Sequence, residues 1–404
     1  MLARHAIGCL LVATQIAVAA EVDDPATIAT DNPNLHVRGS LGHLKHRLEQ
    51  DKRCQIAFLG GSITENASGH SALVPARLRE LYPDAEIGVT NAGWGSTCST
   101  SGAFRLESQV FAGSGADLLV VEFAVNDDQD AGHARRECIR GMEGIVRRVR
   151  RDHPDCDIVM VQFVNPSILA ALGRGEVPIP IAAHEAVAER YGVTSVNVAA
   201  ELADAVAANR YSWKEYGGTH PGRSGYRLAS NMIVAAIEAG IAEAGEKPVQ
   251  STTALPQALD AGSYDRGEFV DPGEAEPDAD WEIGKVGRGM LPLGSIRQQY
   301  EKFDVLRGDK VGSELDFKFA GQSVGAFVLA GPDAGMVEAS IDGGDFVRHD
   351  LYHRHSRGLN YPRSVMFATG LPPGEHSLKL RIAEENHPKS KGHAAAILFF
   401  EVSR

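Results

Sequence analysis

The sequence predicts two domains: a flavodoxin-like three-layer α/β/α unit followed by an all-β sandwich of the jelly-roll kind. Three observations carry this. At 404 residues the chain exceeds the ~250–300 at which one hydrophobic core stops growing. Between Gln55 and Ala244, short runs of branched residues alternate with amphipathic stretches. Beyond Gly245 the alternation gives way to strand-like runs cut by turn residues. An apolar fraction of 43% with 23% charged residues excludes a disordered chain, and a net charge of −13 argues against a polyanionic partner such as nucleic acid.

Residues 1–20 carry Arg4, an apolar run from Ala6 to Val18 and the small-x-small triplet Ala17-Val18-Ala19, the pattern of a cleaved secretory signal. Thr14 and Gln15 interrupt the run, which is shorter than the ~20 residues needed to span a bilayer, so an anchor is disfavoured. The mature protein is expected to be secreted or periplasmic, with no membrane partner. Cys54, Cys98, Cys138 and Cys156 remain after the signal. An oxidising compartment permits disulfides among them, buried apolar thiols are the alternative, and the lack of CxxC spacing disfavours a structural zinc site.

Residues 21–245 form the expected α/β domain. Ile56–Leu59, Glu86–Thr90, Asp117–Phe123, Asp157–Phe163 and Val193–Val198 read as buried parallel strands. Cys138, Met142, Ile145 and Val149 fall at helical spacing, and Arg147, Arg148, Arg150 and Arg151 gather in the last turn, where cations suit the helix dipole. Arg223–Ala244 repeats the pattern and closes the domain. Residues 246–280, with Pro248, Pro256, Pro272 and Pro277, read as an irregular linker. Residues 281–404 contain the strand runs Glu314–Phe319, Ser323–Ala330, Met336–Ile341, Phe346–Leu351, Ser364–Ala368, His376–Ile382 and Ala394–Val402, parted by turns such as Asp342-Gly343-Gly344.

Open α/β sheets bind ligands beyond the carboxyl ends of their strands. The first strand runs into Gly60-Gly61-Ser62, a turn that exposes a hydroxyl beside backbone amides. The second ends in Asn91-Ala92-Gly93-Trp94-Gly95-Ser96, where a glycine N–H can approach an oxyanion. The third ends in Asn126-Asp127, and the Asn126 amide can donate to the same oxygen. His220, in Gly218-Thr219-His220-Pro221 before the last helix, suits a general base toward Ser62.

The blocks FLGGSIT, NAGWGST, EFAVND and GGTHP, in that order over residues 52–244, resemble the SGNH superfamily of GDSL-type esterases and hydrolases. The resemblance implies Ser62 as nucleophile, His220 as base, the Ser62 and Gly95 amides with Asn126 as oxyanion donors, and no metal or cofactor. The family's usual GDS appears here as Gly60-Gly61-Ser62, and Gly217 stands where it normally has Asp, three residues before the histidine. Loss of the triad acid costs about 10⁴ in rate in a serine protease. Two readings follow: a Ser-His dyad, as in some carbohydrate esterases of the superfamily, or recruitment of the nearby Glu215. Candidate substrate contacts are Trp94, Asp127 and Trp213; simple packing is an equal reading for the two tryptophans. Asp127, Asp128 and Asp130 lack the glycine and distal glutamate of a calcium loop. His349, His353 and His355 lie in a segment read as a surface loop, a sugar-contacting edge or a metal site.

The added sandwich resembles accessory modules of carbohydrate esterases, and its loop Tyr352–Pro362, with Arg354, Arg357 and Tyr361, is expected to reach the catalytic cleft. The function expected is removal of O-acetyl groups from a carbohydrate or polysaccharide. The alternatives are a lipid or simple-ester hydrolase and a non-catalytic glycan-binding protein. The sequence leaves the glycan and the oligomeric state open.

Overall fold

The computed structural model describes residues 31–245 and 255–404. The expected signal, residues 1–20, and the first part of the expected linker lie outside the described residues. Among the described residues the N-terminal domain has six strands: β1 (Leu35–His36), β2 (Arg53–Gly60), β3 (Glu86–Gly93), β4 (Leu118–Glu122), β5 (Asp157–Gln162) and β6 (Thr194–Asn197). Their order is β1-β6-β5-β4-β2-β3. The five long strands are parallel and follow the flavodoxin order. The two-residue β1, antiparallel at the β6 edge, was too short to register in the sequence pattern.

Alternation along the strands divides the core in two. Ile56 and Phe58, Leu118 and Val120, and Val159 and Val161 face one side, with Leu44, Val74, Leu78, Leu202, Ile233 and Ile237 from the helices covering it. Ala57 and Leu59, Leu119 and Val121, and Ile158 and Met160 face the other, against Phe104, Cys138, Met142, Ile145 and Val187. Both faces are covered, so the strands are apolar throughout and not alternating. All four cysteines of this domain are buried free thiols, and burial pushes the Cys54 thiol up to about 12.

The C-terminal domain is two antiparallel sheets around one core. Its strands are β7 (Gly267–Val270), β8 (Glu276–Pro277), β9 (Trp281–Lys285), β10 (Asp304–Gly308), β11 (Glu314–Ala320), β12 (Ser323–Ala330), β13 (Met336–Ile341), β14 (Val347–Asp350), β15 (Tyr361–Thr369), β16 (Glu375–Ile382) and β17 (Ala395–Ser403). One sheet runs β15-β12-β17-β10-β9, with β7 also on β17; the other runs β14-β13-β16-β11-β8. Within the stretch read as irregular, Gly267–Val270 and Glu276–Pro277 are thus strands of these sheets. They are too short and too polar to stand out beside their prolines and glycines.

The segment after residue 255 is strapped to helix Arg135–Asp152. Arg140 and Arg136 pair with Asp260, and Arg147 and Arg151 with Asp265. Arg147 also donates to Pro256 O, and Arg148 to Gly267 O. The arginine cluster at this helix end is therefore a clamp for the connecting chain. Gly144 makes room for it: a Cβ there would lie 2.7 Å from the Tyr264 carbonyl carbon.

Strand β12, SVGAFVLA, is buried along its whole length. Val324, Ala326, Val328 and Ala330 face the sandwich core, whereas Phe327 and Leu329 face a second cluster that includes Trp94 of the α/β domain. The two domains share this second cluster, with Tyr300 edge-on to Trp94 at 5.2 Å between ring centroids.

Candidate active site

Strand β2 ends at Gly60, and the chain turns through Gly61 into a one-turn helix, Ser62–Glu65. The turn requires small residues. A Cβ on Gly60 would lie 2.2 Å from Glu122 Oε1, and one on Gly61 would lie 2.1 Å from Asn126 Oδ1. Glu122, at the end of β4, accepts from Gly61 N–H at 3.0 Å and Thr64 Oγ1 at 2.6 Å. Arg105, also wholly buried, donates to Gly60 O at 2.8 Å and Ala92 O at 2.6 Å, joining the ends of β2 and β3.

Ser62 Oγ and His220 Nε2 are 2.7 Å apart. The imidazole is exposed, and no described residue offers its Nδ1 an acceptor within hydrogen-bonding distance. Glu215 does not reach it. Its carboxylate accepts from Ser212 Oγ at 2.6 Å while its N–H donates to the same oxygen at 3.2 Å, a reciprocal cap on the helix Trp213–Tyr216. The alternative reading, in which Glu215 supplies the triad acid, is not met: the side chain is held by Ser212. Gly217 ends that helix at φ +103°, and a Cβ there would lie 2.1 Å from Gly222 N. The usual aspartate is sterically excluded from this loop.

Of the expected oxyanion donors, Asn126 packs against Gly61, the residue before Ser62. Its buried side chain donates one Nδ2 hydrogen to Asp130 Oδ2 at 2.7 Å, which leaves its second hydrogen for a ligand. Among the described residues no acceptor takes the Ser62 or Gly95 N–H. Gly95 is packed so closely that a Cβ would lie 2.3 Å from Arg297 Nη1 and 2.6 Å from Glu65 Oε2. Arg297 belongs to the second domain and also donates to Ser96 Oγ at 2.8 Å. Ser96 holds φ at +68°.

Two expected substrate contacts are structural instead. Trp94, 9% exposed, fills the shared interdomain cluster. Asp127 is wholly buried and accepts from Ser99 N at 2.8 Å, Ser99 Oγ at 2.7 Å and His184 Nε2 at 2.9 Å. Burial alone pushes its carboxyl up, but the neighbouring His133 and His184 imidazoles outweigh that and hold it below the usual carboxylate range. Trp213 keeps part of its ring exposed while stacking on Tyr216. Asp128 and Asp130 do not converge: Asp128 accepts from Asn165 Nδ2, and Asp130 from Asn126.

The loop Tyr352–Pro362 does touch the Asn126 turn. His353 Nε2 lies 3.0 Å from Asp130 O, its ring stacks on Tyr361, and Arg354 donates to Gln129 O. His349 packs edge-on to Phe367 instead of joining a metal cluster. Sequence reasoning missed Arg105, Glu122 and Arg297. The first two were visible as charges inside apolar runs, whereas nothing local to Arg297 marks it.

Burial pushes the Glu122 carboxyl up to about 7, against the Thr64 and Gly61 hydrogen bonds that favour its ionised form. The unfolded chain ionises near 4.5, so between about pH 4.5 and 7 the folded state holds the extra proton and loses stability as pH rises. Glu122→Gln removes that loss while keeping an acceptor for Gly61. We expect the stability of the variant relative to wild type to rise across this window by on the order of 3 kcal/mol, levelling above pH 7. Urea unfolding at several pH values checks it; a difference independent of pH would refute the titration.

Ser62 and His220 thus meet just beyond the end of β2 in the parallel sheet, beside the turn that carries Asn126. Residues 58–228 match the GDSL-like Lipase/Acylhydrolase family, and the α/β unit is such a domain. Among solved structures, a two-domain esterase (CEX) active on acetylated mannans, co-crystallised with mannopentaose, is similar over 91% of this chain and 96% of its own, at 20% identity and a TM-score of 0.72. A second structure of that esterase covers 91% of this chain and 97% of its own, at 20% identity and a TM-score of 0.70. The likeness is one of fold, and it extends over both domains. No curated protein sequence matches the chain significantly. Among the described residues no helix is long and apolar enough to cross a membrane.

Proposed function

We propose that the protein is a carbohydrate O-acetylesterase that works through a Ser62–His220 dyad and an acyl-enzyme. The observation that carries this reading is the 2.7 Å contact between Ser62 Oγ and His220 Nε2 beside unused amide donors. His220 Nε2 takes the Ser62 proton as Oγ attacks the ester carbonyl. The Ser62 and Gly95 N–H groups and Asn126 Nδ2 hold the tetrahedral oxyanion. Collapse expels the sugar alkoxide, which takes the proton from imidazolium, and leaves acetyl-Ser62. Water, deprotonated by His220, then attacks the acyl carbon and returns the free serine with acetate. The exposed Nδ1–H can donate to water, which replaces the absent acid as its orienting acceptor.

A sugar ester as substrate is supported by the two-domain fold shared with an esterase active on acetylated mannans and by the second domain's contacts to the Gly95 and Asn126 turns. The reading also carries export in a signal-bearing precursor. Acetate release from acetylated mannan and from a simple acyl ester is the test. We expect kcat/KM for the polysaccharide to exceed that for the simple ester by at least tenfold; the reverse preference would sink the carbohydrate reading and favour a general esterase.

A further inference from the structure

Behind the Asn126 turn, and apart from the Ser62–His220 pair, three different side chains converge. Cys98 stands at the start of helix Ser99–Leu106, Asp127 follows Asn126, and His133 precedes helix Arg135–Asp152. One ligand atom from each, a thiol sulfur, a carboxylate oxygen and an imidazole nitrogen, lies within 4.8 Å of the others. His133 Nδ1 and Asp127 Oδ1 are 3.5 Å apart. Tetrahedral zinc, with N and O ligands at about 2.0–2.2 Å and S at about 2.3 Å, sets ligand atoms about 3.4–3.6 Å from one another. The His133–Asp127 edge already has that spacing, and the Cys98 sulfur lies within 4.8 Å of both.

Two further observations point to a ligand. His133 Nδ1 is buried and faces Asp127 Oδ1 at 3.5 Å without making a well-formed hydrogen bond, a spacing that an ion held between the two would bridge. Cys98 and His133 also line a cavity of about 260 Å³ between the domains, with Ser96, Glu137 and Tyr361, which offers an ion both an entry and an open fourth position. Asp127 is oriented as ligating carboxylates are, by outer hydrogen bonds from Ser99 and His184.

We propose that Cys98, Asp127 and His133 bind one zinc-type divalent ion, with the fourth position open to the interdomain cavity. Thiolate and imidazole select zinc or its soft neighbours over magnesium and calcium. Because Asp127 directly follows Asn126, the bound ion ties helix Ser99–Leu106 and the His133 loop to the turn that carries the oxyanion amide.

This inference does not depend on the esterase reading, and its test needs no activity. The full chain is stripped with chelator, equilibrated with zinc, desalted and analysed for metal. Wild type and the Cys156→Ala control are expected to keep one equivalent, and Cys98→Ala and His133→Ala less than a tenth. Cobalt-loaded wild type should show a thiolate-to-cobalt charge-transfer band, which decides the matter even if the variants fail to fold. Less than a tenth of an equivalent in folded wild type, no such band, equal binding by a folded double variant, or a Cys98–Cys138 disulfide in the purified chain would overturn it.

Discussion

Ser62→Ala is expected to lower hydrolysis of a chromogenic acetate by roughly 10³- to 10⁶-fold, the range over which loss of an activated serine acts in hydrolases. The substitution removes one oxygen from a half-buried side chain whose described hydrogen bond is to His220. Stability should therefore change by less than about 0.5 kcal/mol. Loss of rate at unchanged stability separates chemistry from folding. His220→Ala should cost a similar factor, and the double variant no more than either single one, because the two side chains form one proton-transfer unit. Steady-state rates with urea unfolding of the same samples check all three. A Ser62→Ala rate within tenfold of wild type would remove the nucleophile assignment and favour a non-catalytic glycan-binding role.

Gly217→Asp restores the residue the family usually carries, yet it is expected to do harm. The position holds φ at +103°, and the new Cβ would meet Gly222 N at 2.1 Å, a backbone atom that no rotamer change can avoid. Gly222 N–H is also held by Tyr216 O at 2.8 Å, so relief requires moving the loop that carries His220. We expect a loss of roughly 2–4 kcal/mol in stability and at least a tenfold drop in kcat/KM. Gly218→Asp is the control: φ is +99°, but a Cβ there meets nothing within 4 Å, so the cost should stay near about 1 kcal/mol. A Gly217→Asp variant as stable as wild type and more active would show that the loop opens to admit an acid, and the dyad reading would fail.

The α/β half was legible because its physics is local. Alternating residues in β2, β4 and β5 feed two covered faces, and short crossovers then leave few topologies. The GGS, GWG, VND and THP blocks follow those strands, so their meeting at one edge was visible before any coordinates. Trp94, for which packing was an equal reading, and Asp127 neighbour Gly95 and Asn126 in sequence, but adjacency in sequence is not adjacency to substrate. Successive residues in a turn point different ways, and both of these point inward, Trp94 toward the second domain and Asp127 toward Ser99 and His184.

The C-terminal half shows the complementary limit. Its strands carried clear turn signals, but the unbroken apolar run of β12 was a sign, legible only in hindsight, that both faces of that sheet are covered. By itself the sequence determined the two-domain plan, the strand order and the Ser62–His220 pairing, because each follows from periodicity and turn chemistry within a few residues. Tertiary structure alone decided that Arg297 and His353 brace the turns bearing Gly95 and Asn126, that Glu215 serves as a helix cap, and that Gly217 excludes an aspartate. These outcomes depend on atoms brought together from distant parts of the chain, and close packing, which no local pattern encodes, settles which of them fit.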